Sequence, residues 1–292
     1  MGKEVKPIKT GFRFLDETIG GYFPGEVTTI GGLDDCGKSA FIIMQALHTA
    51  LELNIPTLLI KGSMSMDELT ASMAAYYCSI ETSNVLTVLH APYYQERIDG
   101  FLHKLEKVPL YVLDITRLET ATMLFEQVEK AVNDYNVRIV FCDDLEYGAL
   151  GNSKDRFMPK ELAQKLNIPI VCSLFFWWHP KYIGEENNML SEFPAYVSDV
   201  LLAFCDYEQH GFVVDEHGND LRQMLQIDIL KTKGTIGRLS VRIRKTDLYV
   251  RNYTKELQKK ALENLLTQND KGVKDLIKKF DLKMVEDELR YL

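Results

Sequence analysis

The sequence has no run of about 18 apolar residues, the length that a membrane-spanning helix needs, so it predicts no membrane span. Its first residues, MGKEVKPIKTG, contain no apolar segment of the kind that secretory signals have. Lys6 also stands where an N-myristoylation signal requires Ser or Thr. These absences predict a cytoplasmic protein that does not bind membranes.

Paired cysteines are missing as well. The five cysteines are odd in number, scattered, and form no C-x-x-C motif. A disulfide framework or a structural zinc site is therefore not indicated. We expect reduced, buried thiols at Cys36, Cys78, Cys142, Cys172 and Cys205.

A surplus of basic residues is the third absence. The 34 Lys and Arg residues are outnumbered by 42 Asp and Glu residues, which gives a net charge of −8. Nucleic-acid-binding proteins usually carry a basic surplus or a basic stripe, because they neutralise backbone phosphates. Any nucleic-acid binding would therefore need a local basic patch or a channel formed by several subunits.

The sequence does contain a glycine-rich motif, G-x-x-x-x-G-K-S, at residues 32–39, which we call the P-loop. It stands between a strand candidate at 26–30 and a helix candidate at 40–53, as this motif requires. In such a loop backbone N–H groups bind phosphate, the lysine reaches the β- and γ-phosphates, and the serine holds Mg²⁺. We therefore predict a site for ATP and Mg²⁺ formed by Gly32, Asp35, Cys36, Gly37, Lys38, Ser39 and Ala40.

Two carboxylates inside this loop, Asp34 and Asp35, oppose a bound triphosphate if both face it. At low dielectric they would weaken ATP binding by about 1 kcal/mol or more. The alternative is that a carboxylate faces solvent, because only the backbone of the loop needs to meet phosphate.

Strand and helix patterns alternate along the chain, which predicts an α/β fold with a mostly parallel central sheet flanked by helices. Residues 224–230 and 239–250 alternate between apolar and polar side chains and predict an antiparallel edge hairpin that turns across Gly234 and Gly237. A helix from Met66 is predicted to begin with Ser65 as its N-cap. Residues 1–252 are expected to form the main domain, and residues 253–292 a helical C-terminal extension.

The short apolar strand at 139–142 is followed by Asp143 and Asp144. A carboxylate at such a strand end holds the Mg²⁺ shell in enzymes with a P-loop, and we assign this role to Asp143. Asp144 is a candidate catalytic carboxylate, and a solvated strand-end residue is the equal alternative.

Several segments together resemble the ATPase domain of DnaB-type replicative helicases, a P-loop NTPase group with RadA and KaiC relatives. They are TGFRFLD at 10–16, GGYFPGEV at 20–27, LIKGSMSMDEL at 59–69, PLYVLD at 109–114 and CDDL at 142–145. The resemblance implies a RecA-like fold, ATP-dependent helicase activity in DNA replication, movement on single-stranded DNA, and a homo-oligomer in the form of a hexameric ring.

Some positions of this sequence depart from the family pattern. The glutamate that activates water in the family falls on Ser63, and the glutamine at the end of the fifth strand falls on Leu174. The K-Q-R segment, whose arginine reaches the neighbouring subunit's ATP, becomes Lys231 and Lys233 around Thr232. These departures predict slow or absent hydrolysis, so two hypotheses stand: a helicase ATPase, and a hydrolysis-deficient paralogue that acts as a nucleotide-binding or assembly module.

Two further features leave their function open. Arg238, Arg242 and Arg244 share one face of a predicted strand, where they could face phosphate or keep an edge strand soluble. Trp177 and Trp178 could stack on bases, although packing under a loop or at an interface is the more common use of such residues.

Overall fold

The computed structural model describes residues 6–62, 64–78, 95–115, 118, 120–143, 159–175, 198–215, 217–232 and 235–244. All statements below concern these residues. The side chains of 95, 235–239 and 244 lie outside the description.

An eight-stranded sheet forms the centre of the described structure. Its order is β3-β2-β4-β5-β1-β6-β7-β8. The strands are β1 (Val27–Gly32), β2 (Thr57–Lys61), β3 (Leu110–Asp114), β4 (Ile139–Cys142), β5 (Ile170–Phe175), β6 (Val200–Asp206), β7 (Met224–Thr232) and β8 (Thr235–Arg244). Neighbouring strands from β3 to β6 pair in parallel, and β6, β7 and β8 pair antiparallel. The predicted mostly parallel sheet with an antiparallel edge is confirmed.

Helices cover both faces of this sheet. They are α1 (Arg13–Thr18), α2 (Lys38–Leu47), α3 (Met66–Cys78), α4 (Gln95–Leu105), α5 (Ala121–Tyr135) and α6 (Pro159–Leu166), and a π-helical turn at His48–Glu52 continues α2. The first four helices contribute to one core cluster, and α5 and α6 contribute to the other.

The apolar strands explain these two layers. Side chains of a strand alternate between the faces of the sheet. In β2, Leu59 packs in the cluster that contains α2, whereas Leu58 and Ile60 pack in the cluster that contains α5. A strand that is covered on both faces has no polar side, which is why the parallel strands are nearly continuous apolar runs.

Local signals set several helix ends. The Glu68 N–H donates to Ser65 Oγ at 3.2 Å, and the Ser65 N–H donates to Glu68 Oε2 at 2.8 Å. This reciprocal pair is a capping box, and it confirms Ser65 as the N-cap of α3. Thr120 caps α5 through its accepted bond from the Met123 N–H, and Asn136 follows α5 in the left-handed region.

The edge hairpin turns earlier than the sequence pattern predicts. Thr232 is the register partner of Thr235, so the turn comprises residues 233–234, and Gly237 lies inside β8. The prediction that β8 begins at residue 239 was wrong, because Gly237 was assigned to the turn. The last part of that predicted strand, 245–250, and the predicted extension at 253–292 lie outside the described residues.

Within the described part of the chain, no helix is long and apolar enough to cross a bilayer.

A polar network joins α6 to the amino ends of β1 and β6. Lys160 Nζ donates to both carboxylate oxygens of Asp199, at 2.7 and 2.6 Å, and to the Gly25 carbonyl at 3.0 Å. Asp199 Oδ2 also accepts from the Val27 N–H at 2.7 Å. This network fixes the start of the strand that leads into the P-loop.

We expect Lys160→Met to lower the free energy of unfolding by about 1–3 kcal/mol, because it removes hydrogen bonds to a charged, largely buried carboxylate. Lys165→Met on the same helix is the matched control. Its ion pair with Glu129 is more exposed, so its loss should cost about 1 kcal/mol or less. Urea unfolding measures both. Equal destabilisation of the two variants would contradict the role given to Lys160.

Candidate functional site

The carboxyl ends of the parallel strands lie at one edge of the sheet, and the P-loop leaves β1 at that edge. β1 is central and lies between β5 and β6. All six of its residues are buried. The P-loop therefore begins from a fixed position at the centre of the sheet.

The backbone of the P-loop needs unusual conformations at three residues. Gly32, Asp35 and Gly37 have φ angles of +153°, +58° and +95°. Gly37 is the N-cap of α2, which begins at Lys38, two residues before the predicted helix start. The first N–H groups of α2 have no partner inside the helix and lie at the loop, which is the usual arrangement for binding an anion.

Gly32 lies too close to its neighbours for any side chain. A Cβ atom at this position would lie 2.6 Å from the Phe204 carbonyl oxygen and 2.7 Å from Cys36 Sγ. The first glycine of the motif is thus required by β6 on one side and by the loop itself on the other.

Lys38 lies inside the loop. Its Nζ donates to the Gly32 carbonyl at 3.0 Å and to the Leu33 carbonyl, and the residue is only 7% exposed. Burial raises the pKa of the Cys36 thiol to about 11, although Lys38 opposes the shift. Cys36 is therefore neutral at physiological pH and adds no negative charge. Lys38 supplies the positive charge of the loop, next to the half-buried Ser39.

The two carboxylates of the loop are exposed to solvent. Asp34 and Asp35 lie at the loop tip, where Gln209 Nε2 donates to the Asp34 carbonyl at 2.8 Å. Gln209 belongs to a 3-10 turn, Glu208–His210, that follows β6. Water screens exposed charges strongly, so their opposition to phosphate is smaller than the low-dielectric case. The weakening of ATP binding by these residues stays a prediction.

Asp143 is held at the end of β4. It is 6% exposed, its N–H donates to the Ile60 carbonyl at 2.9 Å, and Ser173 Oγ donates to its Oδ1 at 2.9 Å. Ser173 belongs to β5, the strand between β4 and β1. This bond holds the carboxylate on the side of the sheet where the P-loop lies.

The donor set suits Mg²⁺ with a nucleotide. No cluster of three or more His, Cys, Asp or Glu residues that could hold a metal occurs in the described ranges. Mg²⁺ typically takes one or two carboxylates and completes its shell with water and substrate phosphates. The residues present, Asp143 and Ser39, fit that pattern.

Other predicted site residues are not brought to the P-loop. Ser63, Asp144 and Lys233 lie outside the described residues. Leu174 is a buried residue of β5 in register with Gly31, so this position offers no polar side chain.

Lys231 lies away from its own P-loop. It is the register partner of Leu201, near the amino end of β6, and its Nζ donates to the Ser198 carbonyl at 2.6 Å. The P-loop lies at the carboxyl ends of β1 and β6. Lys231 therefore does not join the nucleotide site of its own chain.

Arg242 of the proposed basic patch bonds within the chain. Its Nε donates to Tyr207 Oη at 2.9 Å, its Nη1 lies 3.0 Å from Asp215 Oδ2, and its guanidinium lies 5.4 Å from the centre of the Tyr207 ring. For Arg242 these contacts favour a structural role over a phosphate-facing one. The side chains of Arg238 and Arg244, and both tryptophans, lie outside the described residues.

Two residues of the site were missed by sequence analysis. Ser173 follows a run of apolar residues, as Asp143 does, so a comparison of the two strands could have found it. Gln209 gives no local signal, because its contact with Asp34 spans 175 positions of the chain.

Comparisons with known proteins agree on one family. The family model "DnaB-like helicase C terminal domain" matches residues 7–174. Among curated proteins, replicative DNA helicase DnaB of Treponema pallidum (strain Nichols) is 26% identical over 177 residues, which cover 56% of this chain and 40% of that protein. The Synechocystis replicative DNA helicase DnaB is 23% identical over 174 residues, which cover 56% of this chain and 20% of that protein. The chain thus spans less than half the length of these relatives.

Solved structures show the same fold. One of them, an isolated ATPase domain, has a TM-score of 0.64 at 15% identity, covering 81% of this chain and 88% of that chain. A DnaB-like replicative helicase, studied with its interactions with primase, has a TM-score of 0.64 at 16% identity, covering 81% of this chain and 59% of that chain. The predicted RecA-like P-loop fold is confirmed by these neighbours.

We expect Gly32→Ala to destabilise the protein by about 1–3 kcal/mol, because the added methyl group overlaps a backbone carbonyl and the left-handed backbone disfavours a side chain. Gly100→Ala is the matched control. Gly100 is an exposed residue of α4 with no atom within 4 Å of its would-be Cβ, so alanine should stabilise the helix by about 0.5–1 kcal/mol. Thermal unfolding distinguishes the two signs, and a neutral Gly32→Ala would refute the close approach.

Proposed function

The chain belongs to the DnaB-like helicase C-terminal domain family, and from this premise we propose that it binds Mg·ATP at the P-loop and acts as a helicase ATPase domain with slow hydrolysis. The observation that carries the proposal is the loop geometry. A left-handed Gly37 starts α2 at Lys38, and the lysine is buried inside the loop with its charge available to phosphates.

In this proposal each residue has a separate role. N–H groups of residues 35–40 bind phosphate oxygens, and Lys38 transfers its hydrogen bonds from the loop carbonyls to the phosphates. Ser39 and Asp143 would hold Mg²⁺, with Ser173 orienting the carboxylate. Mg²⁺, when bound, supplies positive charge that offsets the charge of the phosphates.

Slow hydrolysis is proposed because polar groups used by the family are replaced. Ser63 stands in place of the activating glutamate, and the buried Leu174 stands in place of a glutamine. Asp144 is the nearest carboxylate in sequence that could act as a base instead. If it does not, the buried Leu174 favours the second candidate, a nucleotide-binding module that acts through assembly.

Assembly follows from the position of Lys231. It lies far from the P-loop of its own chain and near the amino end of β6. A role of Lys231 and Lys233 at ATP therefore requires the site of a neighbouring copy, which supports a homo-oligomer, by resemblance a hexameric ring. Because the net charge is −8, we propose that single-stranded DNA binds to the assembled form and not to the single subunit.

We expect Mg·ATP to bind, and Lys38→Ala to weaken its affinity by about 10–100-fold, because hydrogen bonds to charged groups are lost. Isothermal titration calorimetry measures both, with Lys165→Ala as the control for loss of a surface lysine. Thermal unfolding without nucleotide checks that Lys38→Ala remains folded. No heat from millimolar Mg·ATP in the unmodified protein would mean that the loop does not function as a nucleotide site.

We expect low steady-state turnover, and an increase in Ser63→Glu, because a positioned general base contributes about 10²–10⁴-fold in rate. Phosphate release is measured with and without single-stranded DNA, and sedimentation with and without Mg·ATP reports assembly.

The outcomes of this experiment separate the two candidates. Fast turnover that is lost in Asp144→Asn would overturn slow hydrolysis and identify Asp144 as the base. Binding of Mg·ATP with no turnover in either the unmodified protein or Ser63→Glu favours the assembly module. A protein that stays monomeric with Mg·ATP and ignores single-stranded DNA at low salt would exclude the helicase.

A further inference from the structure

Four polar residues lie side by side at or near the carboxyl ends of neighbouring strands, and we call them the polar row. In the order β3-β2-β4-β5 they are Asp114, Lys61, Asp143 and Ser173. Lys61 and Asp114 are register partners. The Asp143 N–H donates to the carbonyl of Ile60, which places Asp143 beside Lys61 on the other side.

The polar row lies on the face of the sheet that α2 covers. Because side chains alternate along a strand, each member of the row shares its face with the residue two positions earlier. For β2, β4 and β5 those residues are Leu59, Phe141 and Val171, which pack in the same core cluster as α2. The P-loop begins α2, so the row and the phosphate-binding groups face the same space.

Lys61 is the buried cation of this row. The residue is 3% exposed. Its Nζ lies 2.8 Å from Asp114 Oδ2 and donates to the Met64 carbonyl at 2.8 Å. A buried ammonium group needs such partners, because an unpaired charge is costly to remove from water. The Asp114 side chain is 34% exposed, so the pair reaches from the interior to the surface.

This arrangement places a neutralised pair beside the candidate Mg²⁺ carboxylate. Neighbouring strands lie about 4.8 Å apart, so Lys61 is roughly one strand spacing from Asp143 and Asp114 roughly two. Charges at such distances interact by about 1 kcal/mol or more at the effective dielectric near a protein surface. A change in either member of the pair therefore changes the potential at the nucleotide site.

We infer that Lys61 and Asp114 are positioning residues that set the preference of this site for magnesium-bound over metal-free nucleotide. Lys61 attracts the phosphates and repels Mg²⁺, while Asp114 does the opposite. The pair balances the two effects. The inference rests on the proposed binding of nucleotide at the P-loop, and neither residue needs to touch the nucleotide.

The test is a charge cycle with three variants. Lys61→Met adds one net negative charge to the row, so affinity for ATP in EDTA should fall about three- to tenfold at low salt, and affinity for Mg·ATP should fall less. Asp114→Asn adds one net positive charge, so ATP in EDTA should bind about three- to tenfold more tightly. The double variant restores the net charge and should return to within about twofold of the unmodified protein.

Opposite signs are the result that a merely structural ion pair would not give, because breaking it from either side would loosen the same contact. Glu129→Gln and Lys165→Met alter an ion pair outside the row, and neither should change either affinity. If both row variants weaken ATP in EDTA, the inference is overturned while nucleotide binding stands. If the unmodified protein binds no nucleotide, the proposed function fails and the inference with it. Should Lys61→Met not fold, Asp114→Asn decides alone, and any result other than tighter metal-free binding overturns the inference.

Discussion

The close approach of Gly32 to the carbonyl of Phe204 is the constraint on which the rest of the site depends. It requires β6 to lie directly against the end of β1, and it permits no side chain at the point where the P-loop begins. The loop then turns back so that α2 starts at Lys38, with the lysine inside. The orientation of the loop is therefore set by packing between two strands and is complete before any ligand binds.

Much of this structure is predictable because its signals are local. The P-loop motif, the capping box at Ser65 and the carboxylate of Asp143 after an apolar strand each depend on residues within a few positions of one another. Buried parallel strands are apolar on both faces, and this composition predicts the sheet. The sequence pattern failed at Gly237, because a glycine inside an edge strand cannot be distinguished from a turn glycine by its type.

The contacts that tune the site could not be predicted, because they join distant parts of the chain. Gln209 reaches Asp34, and Lys61 reaches Asp114, only after the strands have been placed in their spatial order. That order is not the order of the sequence, since β4 and β5 lie between β2 and β1. Charged side chains along these strand ends consequently look unrelated in the sequence and become neighbours in the fold.

β1 is fastened to β6 at both of its ends. At the amino end the Val27 N–H donates to the Asp199 carboxylate and the Asp199 N–H donates to the Val27 carbonyl, while at the carboxyl end Gly32 abuts Phe204. β6 in turn carries the β7–β8 hairpin through continuous backbone hydrogen bonds. Hydrogen-bonded strands stretch little, so the hairpin, β6 and β1 act as one stiff lever. A push on the hairpin, for instance from an adjoining subunit, would reach the phosphate-binding loop without crossing a hinge.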